Sequence, residues 1–274
     1  MVISACNGVD WDFEKKLRED SIRSSLGLQK VLAINDSIGA MRAGTEISGK
    51  NSAVLCIGTG SNVAVHSAKG DQIVYGYYLR DGLQGGVAIG KRVFELAFAT
   101  DSGYYPHSEI TNLLLGSTGF ASIRELMMAV TTGRNANESP IPVNYKHYAW
   151  IMLEAYHRGD ALAVEYLNEF CREIVGFIIL GAKQLHAEEN LQVVFSGGIL
   201  QLCPQLGDYC KTLLKQSFPD VNCMLTYYKP VVGSVLMWYD MIYNHSIPDE
   251  VREKFEKECS EHSLIAPYQS KVAI

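Results

Sequence analysis

Three short segments of the sequence place small or acidic residues directly after an apolar run, where binding and catalytic groups can lie. In the first, Asn35 and Asp36 follow the apolar residues 31–34. A carboxylate at the carboxyl end of a buried strand points into a cleft, where it can act as a general base toward a substrate hydroxyl. The alternative is that Asp36 only caps the helix that follows. Taken by itself, the position favours the cap.

The second segment is Gly58-Thr59-Gly60-Ser61, which joins two runs typical of β-strands. Glycines let a backbone approach a phosphate closely, and successive N–H groups together with Thr and Ser hydroxyls can bind an anion. A hairpin that needs only small residues at its tip has the same composition. The segment is not a Walker A loop, because no Gly-Lys-Ser or Gly-Lys-Thr follows it.

The third segment, Ser196-Gly197-Gly198, follows a run typical of a β-strand at residues 192–195, and Gly233-Ser234 ends a similar segment farther along the chain. A turn from a strand through glycines into a helix lets a nucleotide base or ribose lie against the backbone at the helix start. One such turn is weak evidence, because turns of this kind have a high false-positive rate. Several of them in this order favour nucleotide binding.

Apolar periodicity predicts the elements that position these segments. Short apolar runs predict strands, and apolar residues three to four positions apart predict helices. We predict strands at residues 2–5, 30–34, 52–57, 62–67, 72–78, 192–195 and 222–226. We predict helices at residues 10–26, 36–43, 89–100, 121–132, 145–158, 160–186, 203–217, 233–244 and 249–262, with Asp10 as the first N-cap and a loop at 135–142. An antiparallel meander followed by helices indicates an α/β fold.

The composition argues against several classes of partner. The net charge is −6, so the chain lacks the basic surface expected of a nucleic-acid-binding protein. No apolar run approaches the ~18 residues of a membrane span, and the N-terminus does not resemble a secretory signal. The seven cysteines are scattered without metal-ligand spacing. We therefore expect reduced core thiols, no metal site built from protein side chains, and a cytoplasmic protein.

The order of these segments resembles the BadF/BadG/BcrA/BcrD ATPase family, which includes N-acetylglucosamine kinases and belongs to the actin/hexokinase/Hsp70 superfamily. The matching segments are GVDW at 8–11, NDSIGAMRAGT at 35–45, CIGTGSN at 56–62, VFSGGI at 194–199 and PVVGS at 230–234, so the resemblance covers about residues 8–244. It implies an actin-like, ribonuclease H-like α/β fold with an incomplete N-terminal half. The implied domains are residues 1–48, with 234–274 packing back on them, and residues 49–233.

The resemblance also implies ATP and Mg²⁺ as cofactors and a small amino sugar as the partner, with N-acetylglucosamine phosphorylated at O6. The aspartate that falls on the catalytic position of the family is Asp36. The residues that fall on its second phosphate loop are Gly58, Thr59, Gly60 and Ser61. Those that fall on its adenosine-binding turns are Ser196, Gly197, Gly198, Gly233 and Ser234. The implied sugar ligands are Asn35, Asp36, Asn62 and Asp81.

The sequence departs from the family pattern in two places. The family opens with an Asp-Gly-Gly-Gly/Ser-Thr-Lys hairpin, the first phosphate loop, and no such motif occurs here. We therefore expect the 274-residue chain to transfer phosphate slowly, and residues 1–34 to be exposed or paired with another chain, which leaves a homodimer open. The second departure is the segment RDGLQGG at 80–86, in which Asp81 falls one residue out of register with the family's sugar-binding acid.

Two other functions remain open at this point. The first is a truncated or degenerate family member that binds a sugar or a partner protein without turnover. The second, less favoured, is the iron–sulfur ATPase activator of a CoA-ester dehydratase, which needs a cysteine from each protomer at a shared cluster. No cysteine of this sequence lies in a glycine-flanked loop between two predicted helices.

Overall fold

The computed structural model describes residues 1–133 and 138–266, and part of the loop predicted at 135–142 lies outside them. The first elements are β1 (Val2–Cys6), α1 (Asp12–Leu26), β2 (Val31–Asn35) and α2 (Asp36–Gly44). They are followed by β3 (Ser52–Ile57), β4 (Ser61–His66), β5 (Gln72–Val74), α3 (Gly85–Asp101), α4 (Glu109–Thr118), α5 (Ile123–Thr131), α6 (Ala149–His157) and α7 (Ala161–Gln184). The last are β6 (Gln192–Ser196), α8 (Gly198–Leu202), α9 (Pro204–Ser217), β7 (Asn222–Leu225), α10 (Pro230–Tyr243) and α11 (Asp249–Glu261).

β3 lies at the centre of a five-stranded sheet with the order β5-β4-β3-β6-β7. The strands β3, β4 and β5 form the predicted antiparallel meander, whereas β6 and β7 run parallel to β3. Leu55 and Ile57 of β3 belong to the large core formed with the helices, and Val54 belongs to a separate core on the α2 side. Because both faces of β3 are buried, its sequence is a nearly continuous apolar run.

A second, two-stranded sheet pairs β1 with β2 in parallel. The outer edge of β2 is covered by α1, because Ala33 N donates to Glu19 Oε1 at 3.1 Å and Arg23 Nη2 donates to Val31 O at 3.3 Å. The outer edge of β1 faces no other strand of the described residues. The residues of β1 are half-buried and α1 has no buried residue, as expected for an exposed start of the chain, but Val31, Ala33 and Ile34 of β2 are buried.

The helices α2 and α10 pack closely against each other between the two sheets. Gly233 touches the backbone of α2, so that a Cβ added there would lie 1.7 Å from Gly39 O. Farther along, Arg42 and Asp240 form a buried bidentate ion pair, with Nε–Oδ2 at 2.6 Å and Nη2–Oδ1 at 2.8 Å. The pair of helices is therefore held by backbone contact at one point and by charge at another.

The start of α1 corrects one prediction. Its N-cap is Trp11 rather than Asp10. The reason is Glu14, whose Oε2 accepts the N–H groups of Asp10 and Trp11 at 2.9 and 3.0 Å. The side chain of Asp10 is therefore not needed at the helix start.

Other elements also differ from the predicted ones, among them the following. The third strand of the meander ends at Val74 instead of residue 78, and the chain enters a 3₁₀ turn at Gly76–Tyr78. α10 begins at Pro230 instead of Gly233, because proline is well suited to the first turn of a helix. α4 has no counterpart in the prediction.

No single helix in the two described ranges is long and apolar enough to span a membrane. The helices α4 and α5 meet the length and composition criteria only as a pair, and they are bent by 62° relative to each other.

Replacing Gly233 with alanine tests the contact between α2 and α10. We expect Gly233→Ala to lower the free energy of unfolding by about 2–3 kcal/mol, because the added methyl group must push two backbones apart. The control is Gly116→Ala on α4, where a Cβ would meet nothing within 4 Å and alanine favours the helix. Urea unfolding of both variants measures the difference, and equal stabilities would contradict the proposed contact.

Candidate active site

The described residues enclose a cleft of about 510 Å³ between the two sheets. Its walls come from segments that are far apart in the sequence. The wall residues are Asn7, Gly8, Asp10, Asp36, Ser37, Ala40, Cys56, Gly58, Thr59, Gly60, Ser61, Asn62, Gly76, Tyr77, Gln84, Ser196, Gly197 and Pro230. The structure therefore brings together Asp36, the Gly58–Ser61 segment and the start of the Ser196–Gly198 segment, as the predicted order of motifs required.

The pairing of β3 with β6 explains why two of these segments meet. The two strands are parallel neighbours, and Cys56 pairs with Ser196. The segments that follow them therefore leave the sheet side by side, at the carboxyl ends of the strands. Gly197 then turns with φ +101°, and a Cβ there would lie 2.4 Å from Ile57 O. Glycine is required at this position both for the backbone angle and for the close approach.

The loop at Gly58–Gly60 presents backbone donors to the cleft. Gly58 O and Thr59 O accept from Gly86 N and Val87 N of α3 at 2.8 and 3.0 Å, and Gly58 N donates to Gly60 O at 2.9 Å. In the part of the chain that the structure describes, the N–H groups of Thr59 and Gly60 donate to no backbone carbonyl. Two adjacent free N–H groups in an exposed turn form a suitable site for an anion such as a phosphate.

Asp36 is the first residue of α2, and its carboxylate opens into the cleft. Asn35 caps the helix instead, because its Oδ1 accepts from Ser37 N at 2.9 Å. Desolvation by the surrounding walls raises the pKa of Asp36 above its ordinary value, although the backbone N–H of Ser37 acts in the opposite direction. A carboxylate with a raised pKa that faces a cleft can accept a proton from a substrate hydroxyl.

Three side chains connect the two walls of the cleft. Asn35 Nδ2 donates to Asp10 Oδ1 at 2.8 Å, and Asn62 Nδ2 donates to Asn35 Oδ1 at 3.2 Å. This arrangement leaves Asn62 Oδ1 buried without a hydrogen-bond partner, and Ser61 Oγ is in the same state. Both atoms belong to residues of the cleft wall, and buried polar atoms without partners are rare in folded proteins.

Cys56 also lies in the cleft wall, but it is not a reactive nucleophile. Burial and the nearby charge of Asp36 raise the pKa of its thiol to about 12. The thiolate is the reactive form of cysteine, and at neutral pH this side chain remains protonated. The acid–base chemistry of the cleft therefore falls to its carboxylates.

Asp81 does not reach the cleft. It begins a 3₁₀ turn at Asp81–Leu83 and lines a neighbouring cavity of about 410 Å³ together with Arg80, Lys91 and Arg92. Three residues later, Gln84 takes a place in the cleft wall. The register of this turn therefore corrects the expectation that Asp81 faces the same ligand as Asp36.

Three of the predicted nucleotide-binding residues also lie outside the cleft wall. Gly198 is the first residue of α8, one position beyond Gly197. Gly233 and Ser234 lie in α10, where Gly233 packs on Gly39 of α2. The segment reaches the cleft through Pro230 instead, so the glycine at 233 serves the packing of two helices.

Sequence reasoning missed the contribution of α1 to the mouth of the cleft. Tyr77 of the wall donates its hydroxyl to Glu14 Oε1 at 2.8 Å. Its ring stacks on Trp11, with centroids 6.0 Å apart and planes inclined by 8°. The only signal in the sequence was the pair of aromatic residues, which does not reveal a contact between segments 66 residues apart.

No protein-family model matches the chain, and no curated protein matches it. Among solved structures, a candidate N-acetylglucosamine kinase from Chromobacterium violaceum is 18% identical, with a TM-score of 0.58 over 86% of this chain and 75% of that chain. Another candidate N-acetylglucosamine kinase, from Porphyromonas gingivalis, is 14% identical, with a TM-score of 0.56 over the same shares of the two chains. The chain has the actin-like α/β fold. The resemblance found in the motifs is thus confirmed at the level of the fold.

The turn at Gly197 can be tested against its neighbour. We expect Gly197→Ala to lower the melting temperature by about 4–8 °C, because the left-handed backbone angle and the contact with Ile57 O together cost about 2 kcal/mol. Gly198→Ala is the matched control, since a Cβ at Gly198 meets nothing within 4 Å. Thermal unfolding followed by circular dichroism measures both, and a Gly197→Ala variant as stable as the control would contradict the described turn.

Proposed function

We propose that this chain is an ATP-dependent sugar kinase, which transfers the γ-phosphoryl group of ATP to a hydroxyl of an amino sugar. The observation that carries the proposal is the presence of Asp36 and the free N–H groups of Thr59 and Gly60 in one cleft. The first is a base suited to a hydroxyl group, and the second is a site suited to phosphate. Phosphoryl transfer needs these two functions side by side.

In this proposal the residues of the loop hold the nucleotide. The N–H groups of Thr59 and Gly60 would bind phosphate oxygens, and Ser196 with Gly197 would lie beside the nucleoside. Mg²⁺ bound with ATP would neutralise part of the charge on the phosphates. No group of three or more His, Cys, Asp or Glu side chains in the described residues could hold a metal ion. The site therefore fits an ion held mainly by phosphate oxygens and water, with at most one or two carboxylates.

The acceptor would bind next to Asp36 on the side of Asn62. Asn62 lies in the cleft wall, and its Oδ1 is a buried acceptor without a protein partner, which a donor from a ligand beside it would satisfy. A hydroxyl group or the N–H of an acetamido group meets this requirement, and N-acetylglucosamine carries both. Asp36 would accept the proton of the attacking hydroxyl, for which we propose O6, as the phosphoryl group is transferred.

Two binding measurements and one rate test the function. Calorimetric titration of the 274-residue chain with ATP and Mg²⁺, and separately with N-acetylglucosamine, is expected to show one site for each. A coupled assay then measures transfer, which we expect to be slower than the turnover of ~1 s⁻¹ typical of enzymes, because the motif of the first phosphate loop does not occur in the sequence. Binding of both ligands without transfer would favour the alternative of a protein that binds sugar without turnover. Failure to bind either ligand would contradict the proposal.

Substitution of Asp36 tests the catalytic assignment. We expect Asp36→Asn to lower the rate of phosphoryl transfer by about 10²–10⁴, because the general base is lost, while the affinity for sugar changes little. Asp101→Asn is the control, since Asp101 is an exposed aspartate at the end of α3. A rate for Asp36→Asn close to that of the control would exclude Asp36 as the base.

The pH dependence gives an independent check. The base must be ionised to accept a proton, and the pKa of Asp36 is raised, chiefly by desolvation. We therefore expect kcat/KM to fall as the pH is lowered through this raised pKa, which lies above the value of about 3.9 for an ordinary aspartate. A rate that stays constant down to pH 4 would contradict a raised pKa at the catalytic base.

A further inference from the structure

Asp10 is a second carboxylate in the wall of the same cleft as Asp36. Its Oδ1 accepts from Asn35 Nδ2 at 2.8 Å. Within residues 1–133 and 138–266, no hydrogen bond reaches its Oδ2. One oxygen of this carboxylate is thus held by the protein, and the other is available to a ligand.

The position of Asp10 is fixed from three directions. Its N–H donates to Glu14 Oε2 at 2.9 Å, and Asn35 holds its side chain. On the third side lies Gly76, where a Cβ would be 3.0 and 3.3 Å from the two carboxylate oxygens. A group held in this way needs little reorganisation when it binds a ligand.

The hydrogen bonds around Asp10 determine which atoms face the cleft. Ser37 N can only donate, and it fixes the amide oxygen of Asn35 toward α2 and the amide nitrogen toward Asp10. Asn62 Nδ2 donates to the same Asn35 oxygen, which turns Asn62 Oδ1 away without a partner. Asp10 and Asp36 therefore present carboxylate oxygens to the cleft, and a ligand that binds both must carry several donors. A polyhydroxyl compound meets this condition, whereas an anionic acceptor would be repelled by the two carboxylates.

We propose that Asp10 binds the acceptor sugar directly, with its free Oδ2 accepting a second hydroxyl of the molecule whose reacting hydroxyl meets Asp36. This inference rests on the proposed kinase function and deepens it, because it assigns a specificity residue for the sugar. A hydrogen bond from a hydroxyl to a carboxylate is charge-assisted and stronger than one between neutral groups. A site built around such a bond discriminates strongly against sugars that lack the hydroxyl.

The test is a direct binding measurement, which does not depend on catalysis. Titration calorimetry gives the dissociation constants of N-acetylglucosamine for wild type, Asp10→Asn, Asp10→Ala and Asp12→Asn. We expect the dissociation constant to rise at least tenfold for Asp10→Asn, which keeps the shape of the side chain but loses its charge. We expect a larger rise for Asp10→Ala. Asp12→Asn is the matched control, because Asp12 is exposed at the start of α1 and lies outside the cleft wall, and it should stay within about twofold of wild type. The affinity for ATP should not change in any variant.

A second measurement guards against effects of the substitutions on folding. Deoxy analogues of N-acetylglucosamine, each lacking one hydroxyl, are titrated into wild type and into Asp10→Ala. One analogue should bind wild type at least tenfold more weakly than the parent sugar, yet bind Asp10→Ala as well as the parent does. If wild type and both Asp10 variants bind the parent sugar with equal affinity, the role of Asp10 is overturned, but the proposed kinase function is not. Absence of sugar binding by wild type would overturn the proposed function and the inference with it.

Discussion

The parallel pairing of β3 with β6 is the constraint on which the candidate site depends. These strands come from distant parts of the sequence, yet Cys56 and Ser196 are partners in the register. The glycine segments that follow them must therefore leave the sheet side by side. A shift of one residue in this register would also exchange the two faces of β6, so that Val194 would leave the core beside α2 and Val193 and Phe195 would leave the large core. Burial of the strands thus determines the position of the loops.

The second wall of the cleft depends on α2, which is buried along most of its length. Its packing on Val54 and Val194 places its first turn beside the loops that follow β3 and β6. Capping by Asn35 then leaves the carboxylate of Asp36 in the wall of the cleft instead of at the end of its own helix. The two interpretations of the Asn35-Asp36 segment are thus compatible, because Asn35 caps the helix and leaves Asp36 available for the catalytic role that we propose.

The sequence predicted those features that depend on local patterns. The apolar runs of β3 and β6 and the glycines after them were sufficient to place the loops, and the strand before Asp36 was sufficient to place that residue. Asp81 was misplaced because the position of a side chain in a 3₁₀ turn depends on single-residue register, which no periodicity reports. Gly233 was misassigned because a glycine that lets two helices touch is indistinguishable in sequence from one that lets a nucleotide approach. The participation of Asp10 depends on contacts across the chain, which the order of residues does not contain.

The buried ion pair between Arg42 and Asp240 restricts how this protein can change during evolution. The two residues are 198 positions apart, and their side chains form two hydrogen bonds to each other while only 10% and 7% exposed. Loss of either partner alone would leave an uncompensated charge, at a cost of about 3–5 kcal/mol, whereas replacement of both by apolar residues can be neutral. Sequences that descend from this one are therefore expected to keep both residues or to lose both, and an alignment of them would show the two positions varying together.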